Sequence, residues 1–199
     1  MRPARTAVRH YLVALRSMLV LMVGLAIVYP LVVTGIGQLA LPWQANGSWL
    51  EKDGQPVGSA LIAQSFTDAD GEALPGWFQP RPSAADFDGG SSAASNFGPE
   101  NPEFVDTIAE RRATIAERDG VSPARIPVDA LTASSSGLDP HISPEYAELQ
   151  IDRVAAERGL EVSEVRELVR TQVQGRDLGY LGEPTVNVLR LNLALSELD

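Results

Sequence analysis

The chain has 199 residues, a formal net charge of −10 and no cysteine. The missing thiols exclude disulfides, a lipobox anchor, thiolate zinc sites and a cysteine nucleophile, and the acidic balance argues against nucleic acid as a partner, because its binders need a basic patch. That charge is unevenly laid out: Arg2, Arg5, Arg9 and Arg16 precede Glu51, while all 26 acidic residues and the other 12 of the 16 basic ones lie at or after it, a net of −14 for that part.

Residues 1–16 read as a short basic N-terminus. Residues 17–36 follow as 20 uncharged, mostly apolar positions. At about 1.5 Å of rise each, such a helix spans roughly 30 Å, the thickness of a hydrocarbon core. Gly24 and Pro30 fall inside the run, and membrane helices accept both more readily than soluble ones. Arginines before the run and none just after it predict a cytoplasmic N-terminus and an outer C-terminal part by the positive-inside rule. A cleaved signal peptide shares the basic start, but its apolar region is shorter, about 7–15 residues, and no Ala-x-Ala site follows here. The reading is an uncleaved single-pass anchor. Residues 37–54 form an exit segment and linker, with Trp43 and Trp49 as interfacial anchors. Residues 55–199 suffice for one compact extracytoplasmic domain with a real core.

Within that domain, residues 57–64 alternate weakly and predict a first strand. Residues 67–76 are polar and turn-rich, and residues 83–102 carry many Gly, Ser, Asn and Pro residues. Phe104, Val105, Ile108, Ala109 and Ile115 fall near helical spacing and predict a helix over 102–119 that stops at Gly120. A second helix is predicted with Ser143 as N-cap, Pro144 at its first position, Glu145 at its positive end and Gly159 as a left-handed C-cap. A third is expected over 163–174, with Ser163 as N-cap and Val165, Leu168 and Val169 on one face. Leu189, Leu191, Leu193 and Leu195 alternate like a strand, yet the same residues also make a passable helix; the favoured reading is a strand that gives way to a short helical turn. The fold class is α/β: one N-terminal transmembrane helix followed by a single compact mixed α/β domain.

Catalytic chemistry is poorly represented. A phosphate-cradling loop needs a lysine followed by Ser or Thr after a glycine-rich turn; Lys52 is the only lysine, and Asp53 follows it. The Asp-Lys-Thr-Gly phosphorylation motif of P-type ATPases is absent as well. Ser136, Asp139 and His141 suggest a hydrolase, but a triad needs side chains that converge in space, and these lie in one turn without a nucleophile elbow. Turn chemistry accounts for them, with Asp139 folding back onto backbone N–H groups ahead of Pro140. His10 and His141 are the only histidines, and Asp68, Asp70 and Glu72 around Gly71 miss the ligand spacing of a calcium loop.

Four segments carry a resemblance, in order: Gln79-Pro80-Arg81-Pro82-Ser83-Ala84; Ser95-Asn96-Phe97-Gly98-Pro99-Glu100-Asn101-Pro102; the long stretch from Leu131 through Asp139-Pro140-His141-Ile142-Ser143-Pro144 to Leu160; and Gly175-Arg176-Asp177-Leu178-Gly179-Tyr180-Leu181-Gly182-Glu183-Pro184 with Val186-Asn187-Val188-Leu189 after it. Together they resemble KdpC, the C subunit of the bacterial Kdp potassium-transporting P-type ATPase, from the membrane segment to the C-terminus. Ala63, where that family often has a glycine before Gln64, and a long polar 67–76 connection depart from the pattern. The resemblance implies a non-catalytic accessory subunit of a high-affinity, ATP-driven potassium uptake pump in the cell (inner) membrane. It would help to assemble or stabilise the complex and act as a catalytic chaperone that raises the ATP affinity of the ATP-hydrolysing B subunit.

The implied partners are a KdpA-like potassium-binding subunit, a KdpB-like ATPase subunit and a small KdpF-like subunit. No cofactor of its own is implied, and ATP would at most be shared with the B subunit. One site residue transfers by resemblance: Gln150, in the helix pattern Ala147, Gln150, Arg153, Val154, Ala155, stands where the family's glutamine is linked to nucleotide binding. The residues alone also allow a helix-face glutamine that hydrogen-bonds a neighbouring loop. An anchored outer domain that binds a small solute or a protein outside any pump is the alternative to the pump reading.

Overall fold

The structure is a computed structural model that describes residues 2–198, with side chains from Val8 onward; the side chains of Arg2 and Arg5 in the basic N-terminus lie outside the described residues. The chain divides into two units, Met1–Ser48 and Trp49–Asp199.

The first unit is helical: α1 (Arg2–Met22), a wider π-helical stretch (Val23–Val28), α2 (Tyr29–Ala40) and the short α3 (Pro42–Ala45). The widening has a local cause. Pro30 has no N–H to donate and its ring would meet the carbonyl one turn earlier, and just before it the Tyr29 N–H reaches back five residues to the Gly24 carbonyl, so the helix absorbs the proline without breaking. The helix stops at Leu41, because a residue ahead of proline is driven out of the helical region and Leu41 has φ −137°. Val8–Ala40 is the one stretch among the described residues long and apolar enough to cross a membrane. Its large side chains, among them Leu12, Leu19, Leu25, Leu31 and Ile36, stand exposed. An all-round apolar surface of this kind suits lipid as its solvent.

The second unit mixes helices with two small antiparallel sheets. β1 (Trp49–Lys52) and β2 (Gln55–Ser59) form a hairpin whose turn residues Asp53 and Gly54 both have positive φ, the twist a two-residue hairpin needs. The strand expected over 57–64 ends at Ser59, where the side-chain oxygen takes the Leu61 N–H and the backbone oxygen the Ile62 N–H, turning the chain. After a long irregular segment come α4 (Pro102–Asp119), α5 (Val128–Leu131), β3 (His141–Ile142), α6 (Pro144–Arg158), α7 (Val162–Gln172), β4 (Val173–Gln174), β5 (Thr185–Asn187) and α8 (Val188–Leu195). The second sheet has the order β3-β5-β4.

The expected caps are present: Ser143 accepts the Tyr146 N–H ahead of α6, and Gly120 and Gly159 close α4 and α6 in the left-handed region. The start of α4 adds a cap not expected from the sequence, the Asn101 side chain accepting the Glu103 N–H. Two expectations fail. α7 starts at Val162 with Glu161 as its N-cap and no side-chain cap bond, so Ser163 lies inside it. The leucine alternation near the C-terminus is helical, because Asn187 caps α8 by accepting the Arg190 N–H, and the buried positions are Val188, Leu189, Leu191, Asn192 and Leu195. That 3.6-residue spacing was hidden under an alternation of period two. The core lies where α6, α7, α8 and β5 meet, around Tyr146, Ile151, Val154, Val165, Val186 and Leu191.

Candidate functional site

Helix α6 is fixed at its start by Asp129, which accepts both the Ser143 N–H (2.7 Å) and the Ser143 hydroxyl (2.9 Å). This anchoring aims one face of α6 at the irregular segment 75–79. On that face Gln150 is fully buried. Its Oε1 accepts the Gln79 N–H at 2.7 Å, and its Nε2 donates to the Gln79 carbonyl at 3.2 Å. The carboxamide thus pairs with one residue's backbone as a neighbouring strand would. Asn192 on α8 repeats the device one residue earlier: Phe78 N–H donates to Oδ1 (3.0 Å) and Nδ2 donates to the Phe78 carbonyl (2.9 Å).

The rest of the segment is held by cations. Arg153 donates to the carbonyls of Trp77 and Pro75 and to Gln150 Oε1. Arg158 donates to the Gly76 carbonyl and lies 4.3 Å over the Trp77 ring, a cation–π contact. Trp77 in turn stacks on Phe66, and the Gln79 side chain donates to the Phe66 and Leu74 carbonyls. Buried backbone groups outside helix or sheet must find partners, and here side chains supply them.

Behind this segment lies an ionic cluster. The fully buried Asp119 carboxylate bonds Arg153 Nε through Oδ1 (2.5 Å) and Arg118 Nη2 through Oδ2 (2.6 Å), and Arg118 also reaches the Tyr146 hydroxyl. Burial lowers the Arg153 pKa against the opposing pull of Asp119. Arg118 ends above its ordinary value: burial lowers it, but Tyr146 and Asp119 outweigh that. Burial pushes the Tyr146 phenol up despite the nearby Arg118.

The hydrolase-like residues do not assemble. Asp139 Oδ1 accepts the His141 N–H (3.0 Å) and lies 3.4 Å from His141 Nδ1, while Oδ2 pairs with Arg81 at 3.1 Å. Burial raises the Asp139 carboxyl, but hydrogen bonds from the His141 side chain and backbone, with the Arg81 charge, hold it below the usual carboxylate range. Ser136 instead accepts the Leu138 N–H, and no bond joins it to His141 among the described residues. Asp139 does fold back onto backbone, the turn role expected of it. In the acidic loop, Asp68 Oδ1 takes the N–H groups of Asp70 and Glu72. No group of three or more His, Cys, Asp or Glu side chains gathers around a metal-sized space among the described residues. Lys52 donates to the Ser196 hydroxyl.

Sequence reasoning singled out Gln150 but missed Asn192, Asp119, Arg153 and Arg158 as its companions. A signal existed for two of them: Asn192 interrupts the apolar run of α8, and Asp119 sits on the last turn of α4, where a cation would be the usual choice.

The KdpC family, described as K+-transporting ATPase, c chain, matches residues 11–197. A protein from Kineococcus radiotolerans named Potassium-transporting ATPase KdpC subunit is 52% identical over 197 residues, covering 98% of this chain and 93% of that protein. Proteins of the same name from Caldanaerobacter subterraneus subsp. tengcongensis and Ralstonia nicotianae are each 49% identical, covering 90% and 92% of this chain and 90% and 91% of their own lengths.

Proposed function

The chain belongs to the KdpC family of K+-transporting ATPase c chains, and we propose that it serves as a non-catalytic accessory subunit of a high-affinity potassium uptake pump. Its partners are a KdpA-like potassium-binding subunit, a KdpB-like ATP-hydrolysing subunit and a small KdpF-like subunit. The helix within residues 17–36 anchors it in the cell membrane, with the basic N-terminus in the cytoplasm and the acidic domain outside. The subunit stabilises the assembled complex and acts as a catalytic chaperone that raises the apparent ATP affinity of the B subunit.

Support for this reading comes foremost from the family match over nearly the whole chain, joined to a single lipid-suited helix. Gln150 has a structural part in this reading, apart from the ATP effect. Its carboxamide is buried and engaged by Gln79 and Arg153, so it holds the shape of segment 75–79 rather than touching nucleotide. An outer domain also has no access to cytoplasmic ATP, and assembly contacts then transmit the effect.

The test is purification through a tag on this chain from membranes that express the whole pump. Both large subunits should follow it, and protease added to the outer face should remove the domain while sparing the N-terminus. Recovery of the chain alone from membranes in which the pump assembles normally would refute the subunit role. A domain protected until the membrane is opened would reverse the orientation.

A further inference from the structure

A cavity of about 390 Å³ opens between α4 and residues 79–83. One cation on its walls lacks an acidic partner. Arg111 is half-buried, and its guanidinium donates only to the Leu131 carbonyl, at 2.9 Å, with no carboxylate paired to it among the described residues. Its burial lowers its pKa, with no acid pulling the other way. Across the cavity Arg81 pairs with Asp139 through Nη1 and donates to the Thr132 carbonyl through Nη2. Arg118 lines the same space and must share the single charge of Asp119 with Arg153. Glu110, exposed at the rim, is the one carboxylate among the lining residues.

A charge drawn partly out of water is ordinarily paired, and Arg111 has a single carbonyl for its guanidinium. Here surplus positive charge gathers in a part of the chain whose net charge from Glu51 onward is −14, so general attraction to anions does not account for it. Phe66, Phe87, Pro80 and Pro82 supply apolar walls, beside the hydroxyl of Thr114 and the amide of Gln79.

We propose that this cavity is a binding site for a small organic carboxylate. A guanidinium fork matches a carboxylate in two parallel N–H···O bonds, and one unpaired arginine calls for a monoanion rather than a phosphate dianion. The ligand's apolar body packs on the phenylalanine and proline walls, within the size range of small-molecule pockets. Gln79, whose backbone the Gln150 carboxamide holds, lines one wall, but Gln150 itself does not reach the cavity, and the proposal does not depend on the pump reading.

The experiment uses the full-length chain in detergent, titrated with sodium benzoate by calorimetry and by thermal melting. Benzamide, its neutral isostere, and inorganic phosphate form the comparison arms. Benzoate should bind saturably and raise the melting temperature, with benzamide and phosphate at least about tenfold weaker, as the loss of a charge-assisted bond implies. Arg111→Gln should weaken benzoate by about tenfold or more, whereas Arg112→Gln, on the exposed neighbour, should leave it unchanged. If Arg111→Gln fails to fold, the benzoate–benzamide contrast in the unaltered chain still decides. Equal binding of the two, tighter binding of phosphate, or no saturation of benzoate below about 10 mM would each overturn the proposal.

Discussion

Residues 75–79 and residues 176–183 are both irregular, both adjoin motifs shared with the family, and are fixed by opposite means. The first segment has its carbonyls and N–H groups taken by side chains from two helices: Gln150, Arg153 and Arg158 on α6, Asn192 on α8. The second holds itself. Asp177 and Leu181 exchange both backbone bonds at 2.9 Å, and Arg176 pairs with Glu183 on the exposed surface. Its apolar residues point outward: Leu178 is 81% and Tyr180 69% exposed, and Leu178 sits at φ +52°. A self-closed turn needs little from the rest of the chain, whereas a buried irregular segment needs specific side chains far away in sequence. Sensitivity to substitution should therefore concentrate around 75–79 and be slight around 176–183.

The largest expected effect is at Asp119. Asp119→Ala leaves Arg118 and Arg153 buried without their shared carboxylate and should cost about 3–5 kcal/mol, the range for breaking a buried ion pair. Chemical denaturation of the Trp49–Asp199 unit measures it, and a loss below about 1 kcal/mol would fit a surface pair instead. In the self-closed turn the sign should reverse. Leu178→Gly relieves a left-handed leucine and should stabilise by up to about 1 kcal/mol; a clear loss would mean that the leucine side chain contributes packing there. The smallest effect concerns pH. The folded Asp139 pKa lies below its ordinary value, so its contribution is present above the unfolded pKa of about 3.9 and is lost as pH falls through the lower folded value. Thermal melts below about pH 4 should therefore fall more steeply for the unaltered chain than for Asp139→Asn, and parallel curves would deny Asp139 that role.

The elements legible in the sequence were those with local signals. Gly120 ends α4, and Ser143-Pro144 and Gly159 bound α6, because caps are written in adjacent residues. α8 was misread because its buried face and its leucine alternation overlap, and only the Asn187 cap separates them. The site was half legible. Gln150 drew attention through resemblance, but its pairing with Gln79 spans 71 positions and that of Asn192 with Phe78 spans 114. Contacts that distant leave no spacing to read. The unpaired state of Arg111 was likewise invisible, since it depends on which carboxylates fail to come near.

The Gln150 carboxamide is engaged by the backbone of the segment it holds, which leaves it no free face for a nucleotide. The most direct measurement is Gln150→Ala in the assembled pump, with the domain's stability and the pump's ATP half-saturation followed together. Truncation strands the Gln79 N–H and carbonyl and should lower stability by about 2 kcal/mol, while ATP half-saturation of complexes that remain folded stays unchanged. A domain of unaltered stability in a pump that needs markedly more ATP would contradict it and place nucleotide at Gln150 itself.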